Sequence, residues 1–75
     1  MRVIYDKETD TLTFVLRKGK YYESDEVREG IIVDVDKKGK IIAIEILDAS
    51  KYLDEINKMT FEIPREIPTK SEKSM

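Results

Sequence analysis

A chain of 75 residues, 40% of them charged, with a formal net charge of −2, is one domain of a size at which a single core supplies only about 3–5 kcal/mol. It contains neither Cys nor His, which excludes disulfide stapling and removes the usual ligands of zinc and other soft metals. Self-association is the remaining common way to stabilise so small a core, and the expectation is a homodimer. No run is long enough to span a membrane and no signal-peptide core opens the chain, so a cytoplasmic protein is expected. Abundant Lys, Glu and Ile without Gln give a thermophile-like composition.

Val3–Tyr5 and Leu12–Leu16 read as two short strands joined by Asp6-Lys7-Glu8-Thr9-Asp10, a polar turn in which Asp6 and Asp10 bond nearby backbone N–H groups. Leu12, Phe14 and Leu16 alternate with more polar neighbours, giving a mostly one-sided apolar face. Arg17-Lys18-Gly19-Lys20 ends the second strand. Residues 21–27 fit either a polar edge strand or a loop.

Ile31–Val35 and Ile41–Leu47 are rich in β-branched residues, which suit a pleated, half-buried surface. The intervening Asp36-Lys37-Lys38-Gly39-Lys40 predicts a type I turn over Lys37-Lys38 with Gly39 in the left-handed region. This turn pairs Val35 with Ile41 and Val33 with Ala43, and leaves apolar side chains on both faces of the sheet. A plain two-residue loop would give a cleaner alternation, with Ile31, Val33, Val35, Ile42, Ile44 and Ile46 together. It would also require positive φ at two lysines, and turn chemistry decides against it.

Asp48 and Ser50 are competent helix N-caps. The apolar spacing Leu53, Ile56, then Met59 or Thr60 predicts a short amphipathic helix. The expected fold is therefore α+β: a small antiparallel sheet of about four strands in two hairpins, followed by one helix, spanning residues 1–59. In residues 60–75, Glu62-Ile63-Pro64 recurs as Glu66-Ile67-Pro68, and each proline holds its preceding Ile extended. The segment reads as an extended or disordered tail, or as a docking arm presenting Phe61, Ile63 and Ile67.

Two stretches carry a resemblance. Tyr5-Asp6-x-Glu8-x-Asp10-x-Leu12 is one. The other is Gly30-Ile31-Ile32-x-Asp34-x-Asp36-x-x-Gly39, continued by Ile44-Glu45-Ile46-Leu47-Asp48-Ala49-Ser50. Over about residues 3–53 they resemble an uncharacterised family of short prokaryotic domains of unknown function. The resemblance implies a compact β-rich domain with a following helix and brings no catalytic residues. The association of such domains with small toxin-like proteins hints at an antitoxin role.

No constellation points to an enzyme. Asp6, Glu8 and Asp10 have the spacing of a calcium loop, but Thr11 stands where its glycine is required and Arg17 where its bidentate Glu belongs. In the turn-derived register Asp34 and Glu45 lie on opposite faces, so they cannot pair for acid–base work. Ser50 has no base beside it. No cofactor is expected, and Gly30, Gly39, Asp6, Asp10, Asp48 and Ser50 take structural roles.

Charge is distributed unevenly. Residues 21–36 hold Glu23, Asp25, Glu26, Glu29, Asp34 and Asp36 against Arg28 alone, with Arg17, Lys18 and Lys20 before them and Lys37, Lys38 and Lys40 after. The acidic overall balance speaks against nucleic acid as a partner of this chain alone. The favoured reading is a non-enzymatic, homo-oligomeric protein-interaction module. Glu23, Asp25, Glu26 and Glu29, with Phe61, Ile63 and Ile67, are its candidate contacts to a basic protein. A metal-dependent hydrolase using the acidic residues and a nucleic-acid-binding accessory domain are the alternatives.

Overall fold

The computed structural model describes residues 1–65. They form one antiparallel sheet of five strands: β1 (Arg2–Asp6), β2 (Thr11–Val15), β3 (Glu23–Arg28), β4 (Ile31–Val35) and β5 (Ile41–Ile46), in the spatial order β1-β2-β5-β4-β3. The only helical element among the described residues is a 3-10 turn over Ala49–Lys51. The fold is therefore mostly β, which corrects the expectation of four strands and a helix. No helix of the described residues is long and apolar enough to cross a membrane.

The missing helix has one local and one distant cause. Asp48 sits in the left-handed region at φ 51° and its side chain makes no capping hydrogen bond, so it does not start a helix in the way an N-cap does. Ser50, the other candidate cap, is drawn instead to Asp10 on the β1–β2 turn. A two-turn helix nucleates poorly without a cap, and the chain continues past Tyr52 in turns and bends, with Leu53 and Ile56 half-buried.

The undecided segment 21–27 supplies the fifth strand. β3 is fully exposed along its length and forms one edge of the sheet, where its charges blunt further pairing. Val27 bulges out between Glu26↔Ile32 and Arg28↔Ile31, which also twists that edge. Because β2 pairs with β5 and not with β3, the connection over residues 16–22 crosses the ends of the two central strands. It is tied there by Leu16 N–H to the Ile42 carbonyl and Tyr22 N–H to the Val35 carbonyl, each 2.8 Å. A Cβ at Gly19 would lie 3.2 Å from Ile42 Cγ2. The crossing chain therefore rests directly on Ile42, which is 1% exposed.

The β4–β5 turn forms as its residues predict. Gly39 has φ +84°, its N–H bonds the Asp36 carbonyl, and Asp36 N–H bonds Lys40. Val35 pairs with Ile41, but a bulge then shifts the register, so that Val33 meets Ile44 and Asp34 meets Ala43. The extra residue reconciles the glycine turn with the clean alternation that the turn alone would have forbidden. The two-sided apolar sheet expected from the turn gives way to one predominantly apolar face and one mixed face. Tyr5–Leu12–Ile46–Ile31 and Val3–Phe14–Ile44–Val33 form adjacent cross-strand rows on the first, ending on β3 at Arg28 and Asp25. The opposite face carries Ile4–Thr13–Glu45–Ile32–Glu26 and Arg2–Val15–Ala43–Asp34–Ser24.

Candidate functional site

The shifted register brings Asp34 and Glu45 together on the second face, as diagonal neighbours across β4 and β5. This corrects the expectation that they lie on opposite faces; the cause is the one extra residue at the bulge, since a slip of one inverts every side chain beyond it. Asp34 is 1% exposed. Its Oδ1 accepts from the Ser24 hydroxyl, directly opposite on β3. Its Oδ2 is buried and meets no donor among the described residues. A protonated Glu45 would donate to the Asp34 carboxylate. Accordingly the Glu45 carboxyl is pushed up to about 7, first by its hydrogen bond with Asp34, then by partial burial and by the charge of Asp34. Glu45 therefore keeps its proton beside the Asp34 carboxyl up to near neutral pH.

Glu45 also lines an open groove of about 630 Å³ with Thr9, Thr11, Thr13, Asp6 and Asp48. A carboxyl poised near 7 at such a groove can give or take a proton at neutral pH. The groove's lining offers it threonine hydroxyls and carboxylates and no basic side chain. Among the described residues no group of three or more Asp or Glu side chains is gathered closely enough to hold a metal ion.

At the far end of the sheet Asp10 does more than cap its own turn. In the left-handed region at φ 54°, it receives the Tyr5 hydroxyl at 2.6 Å, the Ser50 hydroxyl at 2.7 Å and the Ser50 N–H at 3.1 Å. These bonds, led by that from the Ser50 side chain, hold the Asp10 carboxyl below its usual range, while the Tyr5 hydroxyl is pushed up because its proton is held by Asp10. Asp6 Oδ1 accepts from Glu8 N–H at 2.9 Å, the local turn bond expected of it. Asp48 has no such bond and contributes only its left-handed backbone.

The predicted acidic contacts divide. Glu23 and Asp25 stand exposed on β3, and Glu29 is exposed in the turn that follows. Glu26 is committed to that turn, where Oε2 accepts from Gly30 N–H at 2.9 Å; Gly30 itself has φ +81°. Phe61 and Ile63 are each 76% exposed. Ile67 lies outside the described residues.

Neither the carboxyl pair nor the Asp10–Ser50 tie was proposed from sequence. The first was signalled by the clean apolar alternation around Asp34 and Glu45, had a bulge been allowed for. The second joins residues forty positions apart and has no local signal.

A small antiparallel sheet closed at one end by a 3-10 turn is thus the class that fold and site define. Residues 2–50 match the domain family described as Protein of unknown function (DUF2283), and the chain belongs to that family. The match covers all five strands and stops within the 3-10 turn. No curated protein and no solved structure matches the chain.

Proposed function

We propose that the chain is a non-enzymatic protein-interaction module that works as a homodimer, closing the apolar face of its sheet against a second copy. The observation that carries this reading is the thinness of the core. Among the described residues only Leu12, Ile42, Ala43 and Ala49 are buried and apolar, and two of these are alanines. Phe14, Ile31, Val33, Ile44 and Ile46, which make the centre of the apolar face, remain half-buried. An apolar face of that extent is uncommon on a monomer, and a two-fold dimer is the commonest way to cover it. Light scattering at tens of micromolar should give twice the chain mass, and Val33→Lys or Ile44→Lys should halve it. A monomeric wild type overturns the proposal.

The acidic strand β3 supports a second contact, to a basic protein, which is where an antitoxin-like role would be sited. Glu23, Asp25 and Glu29 are exposed, so a basic partner would be steered by them. Replacing these three by Gln should slow association with a co-purified basic partner and flatten its salt dependence, with the melting temperature nearly unchanged. Association that is unaltered at low and high salt alike assigns recognition elsewhere.

A further inference from the structure

We infer that the end of the sheet opposite Asp10 is a binding surface for single-stranded nucleic acid, built where the crossing connection and the β4–β5 turn bring two separate basic segments together. The sequence places Arg17, Lys18 and Lys20 on one side of the acidic run and Lys37, Lys38 and Lys40 on the other. The fold removes that separation. All six line a single open cleft of about 370 Å³, with Asp36 as its one carboxylate.

Asp36 offsets only one of the six. Its Oδ1 is occupied by the N–H groups of Lys38 and Lys40, at 2.8 and 2.9 Å, inside the turn. The six basic side chains are exposed. The net charge of −2 therefore averages over a molecule whose charges are sorted by position, and the average does not describe this end. A cation-lined cleft focuses its field on a polyanion in a way that a scattered surface charge does not.

Shape and chemistry favour a strand over a small anion. A second open cleft of about 580 Å³ shares the Arg17–Lys20 segment and adds Val15 and Tyr21. Open clefts on one basic segment suit a trough that follows a backbone better than a pocket that encloses one phosphate. Tyr21, 58% exposed, lines the second cleft, and an exposed ring at a cationic groove is the stacking platform on which unpaired bases rest. The trough takes its residues from two loops that the sheet holds in place through Leu16, Tyr22 and Asp36. This inference is independent of the dimer proposed above and requires no second copy.

The test is fluorescence anisotropy of the full chain with a labelled, mixed-sequence RNA about a dozen nucleotides long. Contact with four to six phosphates predicts a log–log salt slope of roughly −3 to −4 between about 50 and 200 mM salt. The triple variant Lys18→Glu, Lys20→Glu, Lys38→Glu should lose at least about tenfold in affinity. Tyr21→Ala should lose a few-fold with the salt slope unchanged, which separates stacking from charge. Lys7→Glu, at the opposite end, should bind as wild type does, and melting curves of every variant confirm folding. Absence of binding at low salt overturns the inference. So does an equal loss in Lys7→Glu, or binding to phosphatidylserine vesicles without binding to the RNA, which would mark a lipid-headgroup surface.

Discussion

The two faces of the sheet are built from alternate residues of the same strands, yet they solve opposite problems. One face gathers Leu12, Phe14, Ile31, Val33, Ile44 and Ile46 and leaves most of them half-buried. It is incomplete until something covers it. The other buries Asp34, a side chain that is costly to take from water, and satisfies it internally with Ser24 and a proton on Glu45. What separates the two faces is one extra residue at the Ile41–Ile42 bulge. Without it the turn's own register would mix the apolar and acidic residues on both sides. A single bulge here has the consequences usually credited to a whole pattern of residues.

The sharpest way to break this comparison is to truncate one residue on each face. Leu12, 4% exposed, should cost about 2–5 kcal/mol on Leu12→Ala, as buried leucines do. Ile4, on the other face and 40% exposed, should change stability by no more than about 0.5 kcal/mol on Ile4→Ala. Urea unfolding at equal protein concentration measures both. Similar losses would mean that the faces do not differ as described.

A smaller effect tests the turn that places the bulge. Gly39 has φ +84° and open space where a Cβ would stand, so Gly39→Ala should cost about 1 kcal/mol through backbone conformation alone. Lys38→Gly should be nearly silent. An unchanged melting temperature for Gly39→Ala would remove the turn as the origin of the register.

A further effect is a dependence on pH. Glu45 titrates near 7 in the folded chain against an ordinary 4.5, so the folded state holds the proton more tightly than the unfolded state. Its contribution to stability is complete below about pH 4.5 and is lost as pH rises towards 7. Asp10 and Asp36, whose carboxyls are held below 3.8, act in the other direction, and their contribution is lost only as pH falls through that lower range. The melting temperature should therefore decline from about pH 4.5 to 7 and fall again in strong acid. Asp34→Asn, which offers Glu45 an N–H donor without a charge, should flatten the first decline and leave the second. A profile identical to that of the wild type would show that Asp34 does not raise Glu45.

What could be read from sequence follows the same division between local and distant causes. β1, β2, β4, β5 and the Gly39 turn were legible because apolar alternation and a glycine at a left-handed position act over a few residues. β3 was not settled, since an edge strand of Glu, Ser and Asp has no apolar period to announce it. The predicted helix at Leu53 and Ile56 failed for a complementary reason. Its spacing was helical, but the residue needed to start it, Ser50, is held by Asp10 from the other end of the chain. The Asp34–Glu45 pair lay one residue of register away from being read, and turn chemistry alone could not provide that residue.

The crossing of residues 16–22 over the ends of β5 and β4 also governs how the chain can assemble. β3, β4 and β5 follow one another as hairpins and can zip locally within microseconds. The β1–β2 hairpin joins them only along β2 and β5, where Leu12 meets Ile46, so it must wait for a long loop to close. Such a seam is the slow step in strand order of this kind. It is equally the line along which the native sheet should part, with the amides of β1 exchanging in a unit separate from those of β4.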